Sequence, residues 1–450
     1  MPSDPLNMNL TRWKTVGLIA TVVIVLSFPA YLARMAFIRS RPALVSGPVF
    51  VGRATCVECH KLENDLWVGS HHDLAMDTAT IETVLGNFND FTFKHKGLTH
   101  RFFTIDGKYF VNTQGPGGEF GDFQVAYTFG YTPLQQYLVP FEGGKLQCLP
   151  IAWDTERSIW FHMGDTIYSD EDLEPDNWLY WTNQAQNWNG MCADCHTTNL
   201  NKNYDPETGT FNTTWSEIDV SCEACHGPAS DHLDWANLPE GSRPMDVNTA
   251  LIVRTRDLDN RELLNVCARC HSRRAIMSDY ENNNEDLLNY MIPQLIVQPY
   301  YHADGQILDE DYVYASFTQS KMWEKEVKCN DCHDSHSVKT ILDDNRLCLQ
   351  CHLPDIYDTP AHHFHKMPPE GGDHLINRVK PQYRDGTGSQ CVNCHMMGQF
   401  YMGNDYRRDH SFRIPRPDLT ISIGTPNACN DCHTDKSVRW SQDYIEKWYG

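Results

Sequence analysis

Sixteen of the 17 cysteines in this 450-residue chain fall into eight copies of one pentapeptide, Cys-x-x-Cys-His. The first cysteines are Cys56, Cys192, Cys222, Cys267, Cys329, Cys348, Cys391 and Cys429. The second are Cys59, Cys195, Cys225, Cys270, Cys332, Cys351, Cys394 and Cys432, and Cys148 is left over. Two thiols one helical turn apart can each form a thioether to a vinyl group of one macrocycle, while the next residue sets an imidazole beneath its iron. The pattern is the c-type haem attachment signal. It predicts eight covalently bound haem c groups, with His60, His196, His226, His271, His333, His352, His395 and His433 as proximal ligands. A zinc ribbon, a redox dithiol or a structural bridge would use the cysteine pairs without requiring histidine after each. With only 21 histidines in the chain, eight such hits by chance have odds on the order of 10⁻¹¹, which removes those readings.

A low-spin haem iron needs a second axial ligand, and 13 histidines remain once eight of the 21 are assigned. His336 follows His333 closely and His232 follows His226, so each is placed to reach a neighbouring haem rather than its own. The run His362, His363, Phe364, His365 can put two imidazoles on different irons. His95 and His100 flank an expected turn and carry no such signal. Methionine is the competing ligand, but the histidines outnumber the irons. Met76, Met163, Met396 and Met397 are therefore expected to pack rather than ligate.

Several long stretches carry a resemblance. They are Trp67 with Ser70-His71-His72-Asp73-Leu74-Ala75-Met76, YTFGYTPLQQYL at Tyr127–Leu138, QCLPIAWD at Gln147–Asp154, NWNGMCADCH at Asn187–His196, EIDVSCEACHGP at Glu217–Pro228 and YHADGQ at Tyr301–Gln306. Ser316–Met322, Arg407–Asp418 and Gly424–His433 complete the set. From about Phe50 to Lys436 the chain resembles the multihaem cytochromes c with a cytochrome-c-prime-like haem-pair domain, often fused to tetratricopeptide repeats. The resemblance implies His72, rather than His71, as a distal ligand, together with His162, His232, His302, His336, His362, His365 and His410. His374 falls in what looks like a local insertion, Pro368–Gly388, and ranks lower. No repeat array follows the last motif here, which weakens any peptide-docking role.

The elements that position these groups follow from motif spacing. A long motif-free gap separates His60 from Cys192, and the other seven motifs crowd into Cys192–His433. Within the gap, Phe91–His95, His100–Ile105, Lys108–Thr113 and Gln124–Thr128 alternate aromatic or β-branched with polar residues, as strands do. Asp106-Gly107 is a hairpin signal, and Gly115-Pro116-Gly117-Gly118 breaks the next pair. Gly143–Trp153 and Ser158–His162 are further expected strands. The fold class is thus a multihaem cytochrome c fold: short helices and loops organised around eight stacked haems, with a β-rich segment between the first and second sites. The expected organisation is a cytoplasmic N-terminus (1–14), a membrane anchor (15–37), a first haem segment (50–80), a β-rich subdomain (81–190), a seven-haem domain (191–436) and a C-terminal helix (437–450).

Composition agrees with that plan. Hydrophobic residues are 41% of the chain and mean hydropathy is −0.51, a thin supply for a conventional core of this length. A net charge of −22 excludes a nucleic-acid partner and favours basic or neutral redox partners. Arginines around His410 (Arg407, Arg408, Arg413, Arg416) and around the fourth motif (Arg269, Arg273, Arg274) are candidates for haem propionates. Trp153, Trp160, Trp178, Trp181 and Trp188 are candidates for packing on haem edges, and Cys148 for a buried free thiol.

Thr15 to Ala33 contains no charged residue and approaches the ~20 residues that span a bilayer. A cleaved signal peptide is the rival, but its small-x-small site is poor, with Tyr31 before Ala33 and Phe28 before Ala30. An uncleaved anchor in the inner membrane is expected, with the haem-bearing part on the periplasmic or extracytoplasmic side, where haem is attached. The expected function is a membrane-anchored carrier of a respiratory chain. It would move electrons from a quinol-oxidising or other membrane redox complex to a soluble or extracellular acceptor. The alternative is an oxidoreductase acting on a small nitrogen or sulfur compound at one open iron, although no Cys-x-x-Cys-Lys motif occurs. A filament of stacked cytochromes is a third reading, disfavoured by the anchor.

Overall fold

Ten strands between Met76 and His162 form two antiparallel sheets: β1 (Met76–Thr78), β2 (Phe91–His95), β3 (Leu98–Ile105), β4 (Lys108–Gln114), β5 (Phe120–Val125), β6 (Tyr127–Phe129), β7 (Leu134–Phe141), β8 (Lys145–Cys148), β9 (Ile151–Asp154) and β10 (Ile159–His162). The structure, a computed structural model, describes residues 47–167, 173–245, 248–278, 284–366 and 387–450, besides Leu18. The expected anchor and His374 lie outside the described residues. Among those described, no helix is long and apolar enough to cross a membrane.

The first sheet is a meander, β2-β3-β4-β5. Asp106 and Gly107 turn β3 into β4 with φ of 49° and 74°, the positive pair that a tight hairpin requires. The second sheet runs β1-β6-β7-β9-β10, with β8 also paired to β7. The expected strand Gln124–Thr128 is two strands, because the chain leaves the first sheet at Val125 and joins the second at Tyr127. The expected Gly143–Trp153 strand is also two, interrupted at Leu149 and Pro150, where proline has no N–H for a ladder. β7 was not foreseen. It pairs with β6, β8 and β9 and is buried along most of its length, so it lacks the alternation of a half-exposed strand. Its buried Gln135 is satisfied: Oε1 accepts from Leu85 N at 2.8 Å and from the Tyr137 hydroxyl at 2.9 Å.

Both sheets contribute to one apolar core. Phe102, Tyr109, Val111 and Val125 come from the first, and Tyr137, Val139, Ile151, Trp153 and Trp160 from the second. The Trp160 and Phe102 rings stack at 3.7 Å. A second cluster joins Met76, Leu138, Cys148 and Trp188 to the start of the next motif. After Met191 most elements are helices of one or two turns, with three two-stranded hairpins at 204–205/210–211, 274–276/291–293 and 398–401/405–408. Sheet content therefore exceeds the expected single β-rich segment. The closing helix, Val438–Tyr449, starts at Ser437, whose Oγ accepts from Trp440 N at 3.2 Å.

Candidate haem sites

Each motif must bring two sulfurs and one imidazole to the same side of a helical turn. His60, His271, His333, His352 and His433 donate their backbone N–H to the carbonyl of the first cysteine, at 2.8–3.1 Å, closing an α-turn. Short helices cover Cys222–His226 and Cys391–His395, and Ala193–His196 carries the second motif.

An imidazole nitrogen binds a first-row metal at about 2 Å, and it lies roughly 1 Å from its ring centroid. Two imidazoles trans on one iron therefore have centroids about 6 Å apart. Six motif histidines have a second imidazole at that spacing. His60 faces His232 at 6.1 Å, His271 faces His72 at 6.3 Å and His226 faces His336 at 6.5 Å. His333 faces His410 at 6.4 Å, His395 faces His362 at 6.3 Å and His433 faces His365 at 6.0 Å. This donor set fits haem c. In every pair the second histidine follows a different motif from the one it faces, so each iron would tie two segments remote in sequence.

Burial favours the neutral form, which ligation requires, in seven of these twelve rings and in His196. It pushes His72, His196, His226 and His410 down to about 4 and lowers His271, His333, His395 and His433. His395 Nδ1 contacts the Arg413 carbonyl at 2.8 Å and His196 Nδ1 the Ala75 carbonyl at 3.3 Å. Such bonds fix which nitrogen is left for the metal.

Two motif histidines have other company. Among the described residues the His196 ring packs on Phe129 at 4.4 Å and the His352 ring meets Tyr357 at 5.4 Å; neither faces a second imidazole. Nor do two of the expected distal ligands meet a motif ring. His302 sits in the Tyr301–Gln306 loop near Asp304 and Asp409, and His162 stacks on His95 at 4.0 Å.

Sulfurs of successive sites lie close together. Cys56 lies beside Cys222, Cys195 beside Cys270, Cys267 beside Cys329 and Cys348 beside Cys391. Cys225 is within electrostatic range of Cys267, Cys332 of Cys351, and Cys394 of Cys429 and Cys432. The motifs thus run first, third, fourth, fifth, sixth, seventh, eighth, with the second branching from the fourth. Cys148 is buried against Cys192.

Residues 170–227, which contain the second and third motifs, match the family model described as cytochrome c554 and c-prime. The crystal structure of the outer cell wall cytochrome OcwA superposes with a TM-score of 0.56 at 15% identity, over 89% of this chain and 86% of that one. The fold is that of a multihaem cytochrome. The undecaheme cytochrome from the S-layer of Carboxydothermus ferrireducens also matches, at a TM-score of 0.42 and 16% identity, over 94% of this chain and 63% of that one. No curated protein sequence matches. With the Cys-x-x-Cys-His motifs in place, this fold carries covalently bound haem c.

The arginines and most of the tryptophans singled out from the sequence have partners within the polypeptide. The arginines already have protein acceptors: Arg407 pairs with Glu310 and Asp405, Arg416 with Asp418, Arg273 with Asp309, and Arg274 with Asp194. Arg408 donates to the Val392 and Met396 carbonyls and Arg269 to the Ala224 carbonyl. Arg413 reaches Ser411 Oγ at 3.0 Å. Trp153, Trp160 and Trp181 serve the sheet core, Trp188 the second cluster, and Trp178 is exposed. His95, which had no signal in the sequence, meets His162 because two sheet edges converge, and no local pattern records that.

Proposed function

We propose that the chain carries eight haem c groups and conducts electrons from a membrane, quinol-linked donor to a periplasmic or extracellular acceptor, held to the inner membrane by residues 15–37. The connected series of motif sulfurs carries this reading, because conduction needs neighbouring sites in an unbroken row. Haem c supplies the one-electron couple. The polypeptide supplies six imidazole pairs that would each hold one iron, and buried surroundings that favour the neutral form in seven of those rings. An acidic surface, with 59 carboxylate residues against 37 basic ones, favours basic or neutral partners. The intact mass should exceed the exported polypeptide by eight haems, and the haem should need detergent to leave the membrane fraction. Fewer haems would sink the count, and haem that fractionates freely would sink the anchor.

A second reading rests on His196 and His352, whose rings face no second imidazole among the described residues. An iron held there would have an open position, as reduction or oxidation of a small nitrogen or sulfur compound requires. Low-temperature EPR of the oxidised protein separates the two. A wholly low-spin spectrum supports a closed conduit, while high-spin haem that binds cyanide or nitrite supports a catalytic site.

A further inference from the structure

We propose that His95, His162 and Asp165 form a binding site for one divalent cation of the zinc class, separate from the haem series. His95 closes β2 and His162 closes β10, each an edge strand of its sheet, and Asp165 lies in the helical turn Gly164–Ile167 that follows β10. One donor atom from each residue lies within 4.8 Å of the other two. His95 Nε2 is 2.6 Å from Asp165 Oδ1.

The ring geometry separates this group from the haem pairs. The two imidazoles are parallel within 6° with centroids 4.0 Å apart, too close for an iron between opposite faces. One ion can take both at adjacent positions, with donors roughly 3 Å apart for bonds of about 2 Å, once the rings tilt out of their stack so that each in-plane lone pair points at the ion. Two imidazoles and one carboxylate select borderline first-row cations, whereas calcium and magnesium take oxygen ligands. Three protein ligands leave at least one position for water.

The charges nearby are mixed. Asp165 supplies the counter-charge, while Lys96 and His100 disfavour added positive charge at His162. Burial pushes His162 down to about 4, so its lone pair is available at neutral pH. Gly164 N–H donates to His162 Nδ1 over a long 3.2 Å, and metal entry replaces the direct contact of His95 with Asp165 by a bond from each to the ion. An ion here would clip together two sheet edges whose backbone groups are otherwise open to pairing.

The test uses the haem-loaded protein, dialysed against a chelator and titrated with Zn²⁺ by calorimetry, with elemental analysis for zinc. One equivalent should bind to the natural protein and be lost in His95→Ala and in Asp165→Asn, with haem absorption unchanged in both. Asp165 is half exposed, so its variant should fold even where His95→Ala does not. Equal zinc uptake by the natural protein and Asp165→Asn overturns the proposal. So does conversion of one haem to high spin in His162→Ala, because that assigns the imidazole to iron.

Discussion

Phe102, Tyr137, Leu149 and Trp188 are among many apolar side chains removed from solvent between Met76 and Ala193, whereas from Cys329 to Gly450 only Val392, Pro417 and Ala428 are buried apolar residues among those described. The sheet region is a conventional core, in which side chains of two layers interlock. The late motif region has one-turn helices, hairpin turns and imidazole pairs but almost no interior of its own. Burial of apolar surface is the main favourable term in folding, so that region needs the macrocycles to supply it. One chain thus uses two stabilising strategies. The sheets are built by sequence pattern, and the late motif region would be built by its cofactors, each anchored to one segment by thioethers and, at His333, His395 and His433, to another by the facing imidazole.

Withholding haem attachment is the strongest way to break this contrast. Polypeptide exported without haem should lose protease resistance throughout Cys329–Gly450 while β2–β10 stay protected, as limited proteolysis with mass mapping would read. Uniform protection would show that the motif region holds a core of its own. Next comes Trp160→Ala. Trp160 is buried, stacked on Phe102 and edge-on to Trp153 at 5.2 Å. Its loss should cost about 3–5 kcal/mol, the range for a large buried aromatic, in denaturant unfolding followed by tryptophan fluorescence. The haem spectrum should not change. A spectral change would mean that the sheet core and the haem series unfold as one unit.

The contrast also decides what could be read in advance. Strands β2, β3, β4 and β10 were legible because each has one face in the core and one in water, which leaves a period of two. β7 was not, since both its faces are covered and its Gln135 finds partners only in the folded sheet. The motifs are legible as a pattern, because thioether chemistry demands local spacing. Which histidine faces which motif ring was legible only in part. His336, His232 and the His362/His365 pair could be expected to cross to another site, but their destinations are tertiary facts. The placement of His162 beside His95 follows from where two sheet edges end.

A subtler probe works inside the motif region, by comparing two histidines with different surroundings. His410→Ala removes the imidazole facing His333 and should convert one haem to high spin by EPR. His302→Ala should leave the spin states unchanged, since no motif ring faces it. A high-spin signal from His302→Ala would assign that loop to His196 or His352 and weaken the case for an open iron.

The smallest expected effect concerns Asp219, where the sheet core gives way to the third motif. Burial first, then the neighbouring Glu217 carboxylate, pushes Asp219 up to about 7 from an ordinary 3.8. The native protein therefore keeps a proton that the unfolded chain releases near 3.8. Its stabilising effect is complete at low pH, is lost as pH rises from about 4 to about 7, and changes no further above that. Asp219→Asn should remove this slope, so that the variant gains stability relative to the natural protein across that window and holds the gain at pH 8. Urea unfolding of both proteins at pH 4.5, 6 and 8 reads the difference directly. Parallel curves would mean that Asp219 is ionised in the folded state, and that the junction is wetter than the sheet core beside it.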